Sequence, residues 1–229
     1  MLLVCTNVDK VGPHVSGTYV MEIVLPFRYF ASQGVAMDVA TPRGGKAAIY
    51  HAGKPSSESL GTQSSAAYIE ATQHTLSAAQ IDPTAYDGIY FPGGHGQFWD
   101  VVQDTRIAAV TAAIHERRGV VGSAGHGTAS LVNVRLSNGD HLVARKRMTC
   151  FPTWAEKAWM NLSDFGRLLP FDMEDVLRER QADLVVCTRD SANDPTLTLV
   201  SDPQHRLVTG SFARGSLWVA EEMLRLIRR

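Results

Sequence analysis

The segment Gly122-Ser123-Ala124-Gly125-His126-Gly127 has the composition of a corner at which an α/β enzyme presents its reacting groups. Val120 and Val121 precede it as a short buried strand, and a helix-forming run follows it. Such corners hold a nucleophile above the sheet, and the N–H groups at the start of the next helix favour negative charge. The corner residue here is Gly125, which has no side chain and supplies no nucleophile.

His126 and Glu22 are the candidate acid–base groups. An imidazole transfers protons near neutral pH. Glu22 lies in an apolar segment, and a desolvated carboxyl has a raised pKa that suits it to act as an acid or a base. The ordinary alternatives are a helical glutamate that faces solvent and a histidine held by a backbone partner. The sequence leaves both alternatives open.

A second glycine-rich turn, Gly93-Gly94-His95-Gly96, follows a predicted strand. Glycine accepts a positive φ, so the backbone of this turn can approach a ligand. We expect the N–H groups of Gly94 and His126 to form an oxyanion hole, with His95 among the substrate-binding residues. A tight strand exit is the ordinary alternative. Trp99 and Trp154 are expected near the rim, either touching an aromatic substrate or simply packed.

The elements that must position these residues alternate between strand and helix. This order predicts a mostly parallel sheet covered on both faces, with its site at the carboxyl ends of the strands. Pro26 lies inside the first helix and should bend it there. The predicted strands cover residues 2–6, 35–40, 86–91, 120–124, 149–153, 184–187, 198–200 and 207–209. The predicted helices cover residues 18–33, 66–72, 104–118, the run from the corner to 134, two segments within 156–180, and 213–227.

Composition limits the function classes. The chain has 229 residues, 45% of them hydrophobic, and a formal net charge of −1, which gives no basic surface for nucleic acid. Neither a signal peptide nor a membrane span is expected. The three cysteines are widely spaced, which excludes a disulfide framework or a zinc motif and favours the cytoplasm. No metal cluster is evident from spacing, although His14, His51 and His95 could meet in the fold.

In order along the chain, the motifs resemble those of the ThiJ/PfpI superfamily, in particular its branch of glyoxalase III-type enzymes and stress chaperones. The corner corresponds to the elbow that is usually Ala-x-Cys-His-Gly in that family. The other matching segments are Leu3-Val4-Cys5-Thr6, Gly17 with Glu22 and Pro26, Pro42-Arg43-Gly44-Gly45, Phe91-Pro92-Gly93-Gly94-His95-Gly96, Leu136-Ser137-Asn138-Gly139, Phe151-Pro152 and Val208-Thr209-Gly210. The resemblance implies one domain over residues 1–229, with a flavodoxin-like three-layer α/β sandwich.

The resemblance also implies a catalytic unit. The family's cysteine, histidine and helical glutamate fall on Gly125, His126 and Glu22, and its second acid falls on Glu156 through the segment that begins at Phe151. Thiolate chemistry cannot occur without the thiol. Cys150 is an alternative thiol that could reach the edge of the pocket, but it would not lie over the oxyanion donors.

We therefore expect an enzyme without a cofactor that uses non-covalent acid–base chemistry of the lyase, hydratase or isomerase type. Its substrate would be a small carbonyl compound, with aromatic ones among the candidates. Glycine at position 125 should relieve backbone strain and enlarge the pocket beside Glu22. The alternative is an inactive family member that acts as a chaperone-like or ligand-binding homodimer. A homodimer is expected in either case, with no nucleic-acid or membrane partner.

Overall fold

The computed structural model describes residues 1–51, 56–160 and 167–229. Its helices are α1 (Val20–Ser32), α2 (Ser57–Gln63), α3 (Ala66–Gln73), α4 (Thr105–Glu116), α5 (Thr153–Met160), α6 (Met173–Glu179), α7 (Pro195–Thr198) and α8 (Ser216–Ile227). Its strands are β1 (Leu2–Val4), β2 (Lys10–Val11), β3 (His14–Val15), β4 (Thr18–Tyr19), β5 (Asp38–Thr41), β6 (Arg43–Gly45), β7 (Ile49–Tyr50), β8 (Thr75–Ser77), β9 (Gly88–Phe91), β10 (Val120–Ala124), β11 (Arg147–Met148), β12 (Asp183–Leu184), β13 (Leu199–Asp202) and β14 (Leu207–Gly210).

An eight-stranded sheet forms the centre of the molecule, in the order β13-β14-β10-β9-β1-β5-β8-β6. The six inner strands are parallel, and the two edge strands β13 and β6 are antiparallel to their neighbours. In this register Phe91 lies beside Ser123, so the chain leaves β9 and β10 at the same sheet edge. The parallel order therefore places the two glycine-rich turns next to each other.

Helices cover both faces of the sheet, as the alternating side chains of its strands require. Leu2 and Val4 pack in a buried cluster with α4, whereas Leu3 and Cys5 pack in a second cluster with α1 and α8. The result is the expected flavodoxin-like α/β sandwich.

The main elements follow the sequence prediction, and several local assignments were wrong. Thr18 and Tyr19 form a short strand before α1 rather than its first turn. The run after the corner is a 3₁₀ helix, Gly125–Leu131, and not an α-helix. Residues 43–45, for which no strand was predicted, form the edge strand β6. The pairing expected of the predicted strand 149–153 is made by Arg147–Met148 instead. Part of the predicted helical region 156–180 lies outside the described residues.

All three cysteines are free and buried. Cys5 and Cys150 have no exposed surface, and Cys187 is 3% exposed. Among the helices that the structure describes, none has both the length and the apolar character needed to cross a lipid bilayer.

Candidate active site

Glu22 lies in the first turn of α1, and the sheet fixes this turn through a hydrogen bond to the glutamate's own carbonyl. Pro26 has no N–H to donate to that carbonyl, four residues earlier in the helix. The hydroxyl of Tyr90, on β9, donates to it at 2.9 Å. The donor missing at Pro26 is therefore replaced by a buried side chain from the neighbouring layer.

The carboxyl group of Glu22 lies between the two glycine-rich turns and is sealed from solvent, with the residue only 3% exposed. Burial raises its pKa to about 8, and the Gly93 backbone N–H, which hydrogen-bonds to the carboxyl, opposes this shift. Oε2 has no partner at strict hydrogen-bond geometry among the residues that the structure describes. Glu22 is thus a carboxyl that is largely protonated near neutral pH and that forms no salt bridge with the part of the chain that the structure describes.

Gly125 has a φ of +52°, a conformation that side-chain-bearing residues rarely adopt. A Cβ atom built at this position would lie 2.5 Å from Glu22 Oε1, closer than real Cβ contacts. The glutamate carboxyl therefore fills the space directly beside the corner. Contrary to the expectation of an enlarged pocket, this carboxyl and not open space lies against the position of a Cβ at residue 125.

Gly93 and Gly94 allow the start of α1 to approach the end of β9. A Cβ at Gly93 would collide with the Glu22 carboxyl, and one at Gly94, where φ is +114°, would lie 2.5 Å from the N atom of Tyr19. The Tyr19 N–H donates to the Gly93 carbonyl at 2.8 Å. The positions that side chains at Gly93 and Gly94 would take are therefore filled by the chain itself. The oxyanion hole at Gly94 and His126 stays a prediction.

His126, Glu156 and His95 form a second cluster. His126 Nε2 lies 2.5 Å from Glu156 Oε2, and His95 Nε2 lies 3.4 Å from Oε1. Burial alone would raise the Glu156 pKa, but the two imidazoles hold it well below its usual range. Since an ionised carboxylate only accepts hydrogen bonds, both Nε2 atoms carry the proton. Burial and the adjacent His126 lower the pKa of His95 to about 4 despite the opposing effect of Glu156.

Aromatic rings hold this cluster in place. The His126 ring stacks on Phe151 with ring centroids 4.3 Å apart. The His95 ring is tilted against the His126 ring, and their centroids are also 4.3 Å apart. Phe98 contacts His126 edge-on at 5.9 Å. The family resemblance placed His126 and Glu156 in one catalytic unit, and the two side chains are in contact. The sequence analysis missed Phe98, Phe151 and the contact of His95 with Glu156. The position of His95 after β9 was a signal for that contact, because β9 and β10 are adjacent.

Two cavities meet at Phe151, the ring on which His126 stacks. One of about 580 Å³ lies beside the start of α1, and its walls include Tyr19, Met21, Phe151, Trp154 and Phe212. The other, of about 170 Å³, is lined by Glu156, Phe98, Phe151, Arg167 and Asp172 among others. Phe151 belongs to both. The larger cavity is mostly apolar and aromatic, and the smaller one carries charges of both signs.

Of the three remaining predicted site residues, Trp154 borders a cavity, whereas Trp99 and Cys150 belong to the core. Trp154 lines the larger cavity, and its indole N–H donates to the Cys187 carbonyl at 2.7 Å. Trp99 packs against the core beside Phe98. Cys150 is fully buried in the core, and burial raises its pKa well above the usual value. A buried, protonated thiol does not act as a replacement nucleophile.

The sequence shows no evident metal cluster and leaves open only that His14, His51 and His95 could meet in the fold. Among the described residues, the set of three with metal-ligand geometry is His95, His126 and Glu156. His14 and His51 are not part of it.

Comparison with known proteins relates the chain to a family and to solved folds. The profile of the DJ-1/PfpI family matches residues 15–164. The chain is 23% identical over 142 residues to Glyoxalase 3 of Candida albicans, and 25% identical over 158 residues to a probable glutathione-independent glyoxalase of Schizosaccharomyces pombe. These matches cover 59% and 68% of the chain, and they cover 60% and 58% of the two relatives.

Solved structures share the fold over almost the whole chain. The Rapid Encystment Protein of Francisella tularensis has a TM-score of 0.85 at 22% identity, covering 99% of this chain and 97% of that one. Glyoxalase III from Candida albicans has a TM-score of 0.78 at 20% identity, with coverages of 98% and 95%. Drosophila melanogaster DJ-1beta has a TM-score of 0.62 at 14% identity, with coverages of 100% and 90%.

Proposed function

The chain belongs to the DJ-1/PfpI family, and from this premise we propose that it is an acid–base enzyme in which Glu22 moves a proton on a small carbonyl compound, without a covalent thiol intermediate. The observation that carries the proposal is the state of Glu22. Its carboxyl is buried beside the corner, and its pKa is raised to about 8. A general base works best when its pKa lies near the operating pH.

The reaction class follows from the groups around Glu22. The ionised carboxylate would remove a proton from the carbon next to the substrate carbonyl, and the resulting acid would return it to another atom. The enolate oxygen formed in between needs hydrogen-bond donors, which we assign to the N–H groups of Gly94 and His126. This sequence of steps describes an isomerase, a lyase or a hydratase.

The substrate class rests on the larger cavity and on the relatives. Both curated relatives are named as glyoxalases, which suggests a small carbonyl substrate here as well. Tyr19, Phe151, Trp154 and Phe212 give the cavity beside α1 an aromatic wall. An apolar or aromatic group on the substrate would displace water from this wall. We therefore propose carbonyl compounds with an aromatic substituent as the first candidates.

The experiment measures proton exchange rather than one assumed product. The protein is incubated in D₂O with methylglyoxal and with phenylacetaldehyde, and deuterium entry next to the carbonyl is followed by NMR. Glu22→Gln should lower the exchange rate by at least about 10²-fold, since general acid–base catalysis contributes that much. Exchange by the unmodified chain should rise with pH through about 8.

Glu221→Gln is the matched control, because Glu221 is an exposed helical glutamate on α8. It should leave exchange unchanged. Full exchange in Glu22→Gln would overturn the assignment, and the inactive, ligand-binding homodimer would then be favoured. A rate that falls rather than rises through pH 8 would assign Glu22 as an acid and overturn its role as a base.

A further inference from the structure

The cluster of His95, His126 and Glu156 brings three donor groups from separate parts of the chain to one point. His95 follows β9, His126 follows β10, and Glu156 lies in the first turn of α5. One ligand atom from each lies within 4.8 Å of the other two. We propose that these three side chains bind a divalent transition-metal ion, with Zn²⁺ the best-fitting candidate.

The spacing suits a metal ion after small side-chain movements. Zn²⁺ binds histidine nitrogen and carboxylate oxygen at about 2.0–2.2 Å in a tetrahedral arrangement. Such bond lengths place neighbouring ligand atoms roughly 3.3 Å apart. The separations from Glu156 are 3.4 Å to His95 and 2.5 Å to His126. The His126–Glu156 pair must open slightly, whereas His95 already lies at a suitable distance.

The donor set itself points to a site with an open position. Two histidines and one carboxylate form three-ligand zinc sites, in which the fourth position holds water or substrate. The side chains of His95, His126 and Glu156 are 16%, 11% and 11% exposed, respectively. The cavity of about 170 Å³ borders Glu156, and it has room for a fourth ligand. Arg167 and Asp172, also in its wall, carry opposite charges.

Metal binding at the two Nε2 atoms would displace the hydrogen bonds that these atoms donate to Glu156. A neutral imidazole binds a metal through its unprotonated nitrogen, so the proton of each ring would move from Nε2 to Nδ1. A metal site here would also contradict the expectation from the sequence that the chain works without a cofactor. The inference does not rest on the proposed function, because it is tested by binding without turnover.

The test is titration of the chelator-treated protein with Zn²⁺ by calorimetry, and with Co²⁺ by visible absorption. We expect one ion per chain and the intense visible bands of tetrahedral Co²⁺. His95→Gln and Glu156→Gln should each weaken binding by at least about tenfold, as loss of even an outer-shell partner does at other sites. Circular dichroism of each variant, without metal, establishes that it is folded.

His205→Gln is the matched control, because His205 also pairs with a carboxylate, Asp202, at 2.8 Å. It should bind both ions like the unmodified chain. Absence of binding by the unmodified chain would overturn the proposal. Equal binding by the folded His95→Gln variant would do so as well, since the ion would then lie elsewhere. Should Glu156→Gln fail to fold, His95→Gln alone decides between the outcomes.

Discussion

Two features of the structure favour glycine at position 125. The left-handed backbone, with φ of +52°, disfavours any side chain, and Glu22 Oε1 lies only 2.5 Å from the position that a Cβ would take. A left-handed conformation costs a residue with a side chain about 1–2 kcal/mol. A Cβ at this position would also collide with Glu22 and lower the stability further. This second cost is limited, because the carboxyl is the end of a flexible side chain that can move away.

Gly125→Ala should therefore destabilise the protein by more than the backbone strain alone. Gly34 is the matched control, since its φ is +69° and nothing lies within 4 Å of its Cβ position. We expect about 1 kcal/mol for Gly34→Ala and a larger loss for Gly125→Ala, measured by urea unfolding. When Glu22 is also replaced by Ala, Gly125→Ala and Gly34→Ala should lower the free energy of unfolding by the same amount. An equal loss at both glycines would show that Glu22 does not fill the space.

At the scale of single residues, a motif was enough to name candidates. Glu22, His126 and Glu156 could be named because each is tied to a helix or a turn with a sequence signal. The contact of His95 with Glu156 could not be found from spacing, since it joins turns from different parts of the chain. The occupied space beside Gly125 was equally hidden, because the sequence does not give the rotamer of Glu22.

Among the elements, α1 depends on support from outside the helix. Pro26 leaves the Glu22 carbonyl without its usual partner, and Tyr90 on β9 provides the replacement at 2.9 Å. The same bond ties the turn that carries Glu22 to the sheet. The Tyr90 hydroxyl thus replaces the N–H missing at Pro26, and this hydrogen bond both stabilises α1 and helps to position the Glu22 carboxyl.

Tyr90→Phe should lower the free energy of unfolding by about 1–3 kcal/mol, because a buried carbonyl is left without a donor. Tyr68→Phe is the control, since the Tyr68 hydroxyl is buried without a hydrogen-bond partner among the described residues, and it should have little effect. In a Pro26→Ala background, which restores an N–H four residues after Glu22, Tyr90→Phe should cost less. A cost independent of residue 26 in this double-mutant cycle would contradict the role assigned to Tyr90.

Strong periodic segments were predicted well, and short ones were not. The runs that became α4, α8, β9 and β10 have clear apolar patterns. No such apolar pattern marks the 3₁₀ helix at Gly125–Leu131 or the strand pair β11–β12. Residues in such short elements follow tertiary packing more than local propensity, so the pattern alone did not assign them.

At the scale of the whole molecule, the buried Glu22 links folding to pH. Its pKa is raised to about 8 in the folded chain, from an ordinary 4.5. A raised carboxyl pKa contributes stability that is fully present below the unfolded value and is lost as pH rises through the folded value. The folded chain should therefore lose part of its stability between about pH 4.5 and 8.

Glu22→Gln removes this dependence, because glutamine does not titrate. Relative to that variant, the unmodified chain should lose on the order of 4 kcal/mol between pH 4.5 and 9, since one pKa unit corresponds to about 1.4 kcal/mol. Urea unfolding at several pH values measures the difference, and contributions from other groups cancel in the comparison. A constant difference across this range would mean that Glu22 titrates normally.

The burial of Cys5, Cys150 and Cys187 has a consequence for how the molecule tolerates oxidising surroundings. While the chain is folded, peroxide or an alkylating reagent meets no exposed cysteine thiol, and cysteine reactivity of this kind needs an exposed thiolate. Under the function proposed above, which uses no sulfur nucleophile, we expect activity to survive peroxide treatment that inactivates thiol-dependent enzymes.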